Sequence, residues 1–385
     1  MNGEYMNSLG QIEVNLNTLD KNLKKLINYF NEYEYKFVDL RNKAFGLGFF
    51  CVKKIVENNI NYIYVSTLKE ALEVRKYNQN INILVEKEID LEYIFDAINH
   101  NITISIYNNE YFKKLVSLNI KDNLKIHLVV DNLVNHLGIK TLKEINEIIY
   151  LSKELKNINI EGIYSNITNY GYNDDFYYEQ VENFYSIIKD INENLIIHLN
   201  EPIMYHGKIK KVNGIKFDLA LFGLTEQFSN SYLNNWKHKS LGKNFKTSSW
   251  RNLELSLDLV FEITSEVIAF KEIEKGTKVG KNYVCKEDGI LVIVDIGHKD
   301  GITKAIKEVV INDNIWEVIA DDLDYLYVFG QYDVEVKDKV YLISDYNYID
   351  NVLQNLRTNR YYLMSIINSN LKRIYLEGEE VEEVE

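Results

Sequence analysis

Imidazole titrates near neutrality, so the seven histidines are the first candidates for proton transfer. His136 and His198 fall near the ends of apolar runs, and His298 sits in IVDIGHKDG (293–301). Their spacing matches no metal-ligand pattern, so no metal is expected. For His298 the plainer expectation is a neutral, hydrogen-bonded histidine at a domain interface. Cys51 and Cys285 supply neither a disulfide framework nor a CxxC zinc pair. Gly46 and Gly48 in RNKAFGLG (41–48) lack the third glycine of a dinucleotide fingerprint. Arg41, Lys43, Glu201 and Lys216 are charged residues near the ends of apolar runs. They can form an ion-pair network, for example Arg41 with Glu201, or Arg41 and Lys216 can clamp the carboxylate of an anion or amino acid.

The elements that must position these groups fall into two sets. From 11 to 225, short β-branched or aromatic runs alternate with amphipathic stretches. The runs are 37–43, 62–67, 81–86, 102–108, 125–132, 159–166, 195–201 and 217–223. Helical spacing marks 18–33, with a cap at Asn17 or Thr18, and also 67–77, 141–156 and 174–191. A doubly wound open sheet would alternate in the same way, but eight regular units without a GxGxxG behind the first strand favour closure into an N-terminal TIM (β/α)8 barrel, whose sites lie at the carboxyl ends of its strands. Arg41, Lys43, Glu201 and Lys216 then converge there, with Lys43 on the same strand face as Arg41. The polar stretch 226–250 reads as a linker, and 251–376 as a C-terminal mostly-β domain with a helical stretch at 349–370. EGEEVEEVE (377–385) reads as a solvated, disordered acidic tail.

The chain has 385 residues and a net charge of -13, enough for two or three domains or one large barrel with a smaller unit. The acidic balance argues against a nucleic-acid partner. No apolar run approaches the ~18 residues of a membrane span, and MNGEYMNSLG is no signal peptide. A cytoplasmic protein without membrane partners is expected. The single proline, Pro202, leaves turns to Gly, Asn and Asp.

RNKAFGLG resembles the pyridoxal-phosphate lysine motif of the alanine racemases, K-A-N-A-Y-G-H-G, through Ala44, Phe45, Gly46 and Gly48. Further segments agree in order: STLKEALEVR (66–75), VDNLVNHLGI (130–139), IEGIYSNITNY (160–170), DLALFGL (218–224), IVDIGHKDG (293–301) and LMSIINSNLKRIYL (363–376). The resemblance spans 11–376. It implies a barrel followed by a β domain, working as a head-to-tail homodimer. It also implies that the chemistry has changed. The cofactor-bearing lysine is Arg41, and the opposing tyrosine is His298. The arginine of D-T-G-M-x-R is His136, and the T-H-F histidine is Asn166. The arginine bonding the pyridine nitrogen is Lys216. The phosphate-binding Asn-Ser pair falls at Asn200-Glu201 or Glu201-Pro202. Asp131, Asp300, Asp321 of the substrate loop, Lys372-Arg373 and Tyr361, matching a phosphate-contacting tyrosine, are retained.

A guanidinium stays protonated and forms no Schiff base. The favoured expectation is therefore a homologue that binds no cofactor, does not racemise, and serves as a ligand-binding, regulatory or structural protein, with a small amino-acid-like ligand. One alternative is an active racemase of altered specificity with pyridoxal phosphate on Lys43. Another is a cofactor-independent enzyme using His298, His136 and Glu201 as acid/base groups.

Overall fold

The computed structural model describes residues 9–167, 174–191, 194–200, 210–224, 255–301, 303–344, 346–367, 371–378 and 380–384. Strand β1 (Gln11–Asn15) comes first, and eight parallel strands then close a barrel. These are β2 (Tyr35–Asp39), β3 (Tyr62–Val65), β4 (Asn82–Val85), β5 (Ile102–Ile106), β6 (Leu124–Val130), β7 (Ile158–Ser165), β8 (Ile196–Asn200) and β9 (Gly214–Phe217). The TIM-barrel expectation is met. The crossover helices bury one apolar stripe each against the outside of the barrel. Helix Leu16–Tyr29 buries Leu16, Leu19, Leu23 and Leu26, and its cap is Asn15, whose side chain accepts from the Thr18 N–H at 2.9 Å. Helix Leu142–Lys153 begins with a reciprocal Thr141–Glu144 capping box.

The second sheet is built from distant segments. It contains β10 (Phe261–Ile273), β13 (Gly289–Val294), β14 (Glu308–Ile311), β15 (Asn314–Asp321), β16 (Leu326–Gly330), β17 (Lys339–Ile343), β18 (Lys372–Glu377) and β19 (Glu380–Val384), with a side hairpin of β11 (Lys278–Val279) and β12 (Tyr283–Val284). β1 joins this sheet, antiparallel to β10 and parallel to β18, so the first residues of the expected barrel belong to the β domain. Two helices, Tyr346–Leu356 and Arg360–Ile366, precede β18.

Four expectations are corrected. The first barrel strand stops at Asp39, because Asn42, Lys43, Ala44 and Phe45 all take φ of 53–55°, a left-handed turn. Strand alternation therefore does not place Lys43 beside Arg41. The eighth strand is Gly214–Phe217 and not 217–223, where Leu219–Phe222 forms a 3-10 turn. The acidic tail is not disordered. Its residues Glu380–Val384 pair antiparallel with β18, where backbone hydrogen bonds and Lys53 and Lys54 on Glu377 offset charge repulsion. The linker 226–250 lies outside the described residues.

Asn22 locks the two units together. Its buried amide donates to Leu221 O (3.1 Å) and Asp258 O (2.7 Å) and accepts from Asp258 N (3.0 Å). Asn22→Ala leaves these backbone groups unpaired and is expected to cost about 1–3 kcal/mol, read as a shift in the urea midpoint. No helix among the described residues is long and apolar enough to cross a membrane.

Candidate functional site

Side chains alternate along each barrel strand, and the inward set is aromatic in mid-barrel. Phe37 stacks on Tyr62 at 4.5 Å and on His198 at 4.1 Å, and Tyr164 stacks on the other face of His198 at 4.7 Å. His127 Nδ1 and His198 Nε2 lie 3.0 Å apart. Burial pushes both imidazoles below the ordinary histidine value, and for His198 the nearby His127 and Lys216 charges add to it. His198 is thus a packed interior residue. Above it, the Tyr164 hydroxyl meets Ser105 Oγ at 3.0 Å and the Tyr64 hydroxyl at 3.3 Å.

The charged groups sit at the carboxyl ends of the strands. Asp39, fully buried at the end of β2, is the hub. Arg41 reaches its carboxylate at 2.7 Å and Lys216 at 3.1 Å, while the other arm of Arg41 bonds both oxygens of Glu86 at 2.9 and 3.0 Å. Lys216 Nζ also lies 4.0 Å from the Tyr64 ring centroid. Burial alone would raise the Asp39 carboxyl, but the Arg41 and Lys216 charges override it and hold it below its ordinary value. Tyr361 donates its hydroxyl to Asp218 Oδ2 at 2.7 Å.

Of the residues expected at the site, Arg41 and Lys216 are brought together. Lys43 is not: its side chain is 59% exposed and lies 3.5 Å from Glu73. Glu201 lies outside the described residues, and Arg41 takes Glu86 and Asp39 as its described ion-pair partners. Asn200 ends β8, and Asn166 is half-buried just after β7. His136 is exposed in the loop after β6. His298 lies on the β domain, 44% exposed, with Nε2 2.6 Å from Asp321 Oδ2. No group of three or more His, Cys, Asp or Glu side chains among the described residues could hold a metal ion.

Sequence reasoning missed Asp39, Glu86 and Asp218. Each is an acidic residue at or just past the end of an apolar run, which in a barrel is where function concentrates.

A barrel with charged groups at its strand ends, followed by an antiparallel β domain that the N-terminal strand joins, defines a two-domain racemase-type fold. Residues 14–206 match the alanine racemase N-terminal domain and 260–375 the alanine racemase C-terminal domain. The chain belongs to the alanine racemase family. It is 26% identical to an alanine racemase of Borreliella burgdorferi, covering 98% of this chain and all of that one. Among solved structures, an alanine racemase of Clostridium difficile 630 superposes with a TM-score of 0.85 at 21% identity, covering 98% of each chain. A histidine racemase of Leuconostoc mesenteroides superposes at 0.82 and 19% identity, covering 96% of this chain and 98% of that one.

This membership corrects the expectation of no cofactor, because the homologous racemases are pyridoxal-phosphate enzymes. Two positions nonetheless do not fit the way the resemblance implies that group is held. Arg41 offers no free amine for a covalent link, and its charge is tied to two carboxylates. Tyr361 gives its hydroxyl to the Asp218 carboxylate, an anion that would repel a phosphate beside it.

Proposed function

We propose that this chain keeps the alanine-racemase scaffold without its racemisation, and holds a small amino-acid-like ligand at the carboxyl end of the barrel. The observation that carries this reading is the Arg41–Asp39–Lys216 cluster with Glu86. It replaces a reactive amine with a guanidinium held between two carboxylates. Proton removal next to a carbonyl needs a base and an acceptor for the electrons. His298, in place of the opposing tyrosine, is oriented by Asp321. A head-to-tail homodimer belongs to the same reading. The exposed His298 and the 63%-exposed Leu323 lie on the β-domain surface that would cap a partner's barrel. A cytoplasmic location is part of it too.

The test is an alanine-racemisation assay with pyridoxal phosphate added, followed by borohydride reduction and peptide mapping. We expect turnover at least about a thousandfold below that of a lysine-bearing racemase. Turnover within tenfold of such an enzyme, with reductive labelling at Lys43 or Lys216, would overturn the proposal.

A further inference from the structure

The ligand-binding reading leaves the ligand's chemistry open, and the inward-facing carboxylates narrow it. Asp39, Glu86, Asp131 and Asp218 all sit at or just past the carboxyl ends of barrel strands. Arg41 and Lys216 already contact Asp39, Arg41 also contacts Glu86, and Asp218 accepts from Tyr361. Asp131 is different. On β6, His127 and Val129 point into the barrel, and Asp131 continues that alternation to its mouth. Its side chain is 2% exposed. Oδ1 is buried without a hydrogen-bond partner, and Oδ2 lies 3.7 Å from Lys140 Nζ, outside hydrogen-bond reach. The backbone holds it there: Asp131 N donates to Ile139 O at 3.0 Å, and Ile139 N to Val129 O at 2.7 Å. A buried carboxylate oxygen with no donor costs free energy until a donor arrives.

Resting on the ligand-binding reading, we infer that Asp131 is the anchor for the ammonium of a small organic amine entering the barrel mouth. Four carboxylates against three cations, Arg41, Lys216 and Lys140, leave the mouth net negative, which favours a cation over an anion. A metal ion would need a tight cluster of ligands, which the described residues lack. An alkylammonium needs only one carboxylate acceptor and an aromatic neighbour. Tyr107, buried just past the end of adjacent β5 and held by its hydroxyl bond to Glu86 O, shares the inward cluster with Val129, two residues before Asp131, and is the aromatic side chain offered for the second.

Calorimetry on the full chain tests this with three probes sharing one carbon skeleton: n-butylamine, butyrate and n-butanol. Saturable binding of butylamine alone is expected. Asp131→Asn is expected to weaken it by about tenfold or more. Lys140→Ala, a change at a side chain 60% exposed, removes the nearest competing ammonium and is expected to tighten binding severalfold. Loss of fold cannot mimic that gain. The inference is overturned if butylamine does not bind, if butyrate binds in its place, or if neither variant shifts the affinity. Racemisation is assayed separately, so a failure here with no turnover removes this inference alone.

Discussion

Asp39→Ala is expected to lower stability by about 3–5 kcal/mol, the usual effect of removing one member of a buried ion cluster. The cost is not mainly the lost contacts. Lys216, only 4% exposed, would be left in the barrel mouth with no counter-ion in contact. Arg41 would retain Glu86 alone. The corollary is a rescue. Asp39→Val combined with Lys216→Met removes charge on both sides and restores apolar packing, so it should recover much of the loss. Urea unfolding of the three proteins checks both statements, and an Asp39→Ala midpoint equal to wild type would refute the role of hub. The pH dependence has a definite sign. The folded Asp39 carboxyl is held below its ordinary value. Its contribution is therefore complete above the unfolded value of about 4 and is lost as pH falls through the lowered folded value. Wild type should lose stability below about pH 4 more steeply than Asp39→Asn.

Much of the barrel was legible because βα alternation is local. Eight apolar runs with amphipathic stretches between them needed no knowledge of pairing. What escaped was non-local or conformationally rare. β1 reads as an unremarkable strand, QIEVN, yet Gln11 pairs with Thr264 and Lys372, partners hundreds of residues away. FVDLRNK reads as one strand because left-handed backbone at four successive non-glycine residues is disfavoured by about 1–2 kcal/mol each. The same division runs through the site. Arg41 and Lys216 stood out by residue type and motif. Their counter-ions did not, because Asp39 meets Lys216 only through the β2–β9 register, in which Val38 pairs with Phe217. A single sequence carries no register between its first and last barrel strands. Asp131 was noted only as a retained motif residue. Its significance depends on burial and on an oxygen left without a donor.

The left-handed turn makes a second large effect predictable. The turn is braced from the β domain: Arg373 of β18 donates to Gly46 O at 2.9 and 2.8 Å, and the Tyr375 hydroxyl donates to Leu47 O at 2.8 Å. Gly48 closes the turn with φ of 91°, and a Cβ there would lie 2.0 Å from Tyr375 Oη, a distance no side chain tolerates. Gly48→Ala should therefore cost about 3 kcal/mol or more, from backbone strain of about 1–3 kcal/mol together with displacement of the tyrosine. Tyr375→Phe alone should cost about 1–3 kcal/mol, for a carbonyl left unpaired. The double variant separates the two causes. With the hydroxyl gone the clash is relieved and the φ strain remains, so Gly48→Ala/Tyr375→Phe should be less destabilised than the sum of the singles. Strict additivity in unfolding free energies would show that the turn does not depend on β18 for its shape. Coupling would show that the segment opening with Arg41 is positioned by the C-terminal domain, the same dependence that brings β1 out of the barrel and into that domain's sheet.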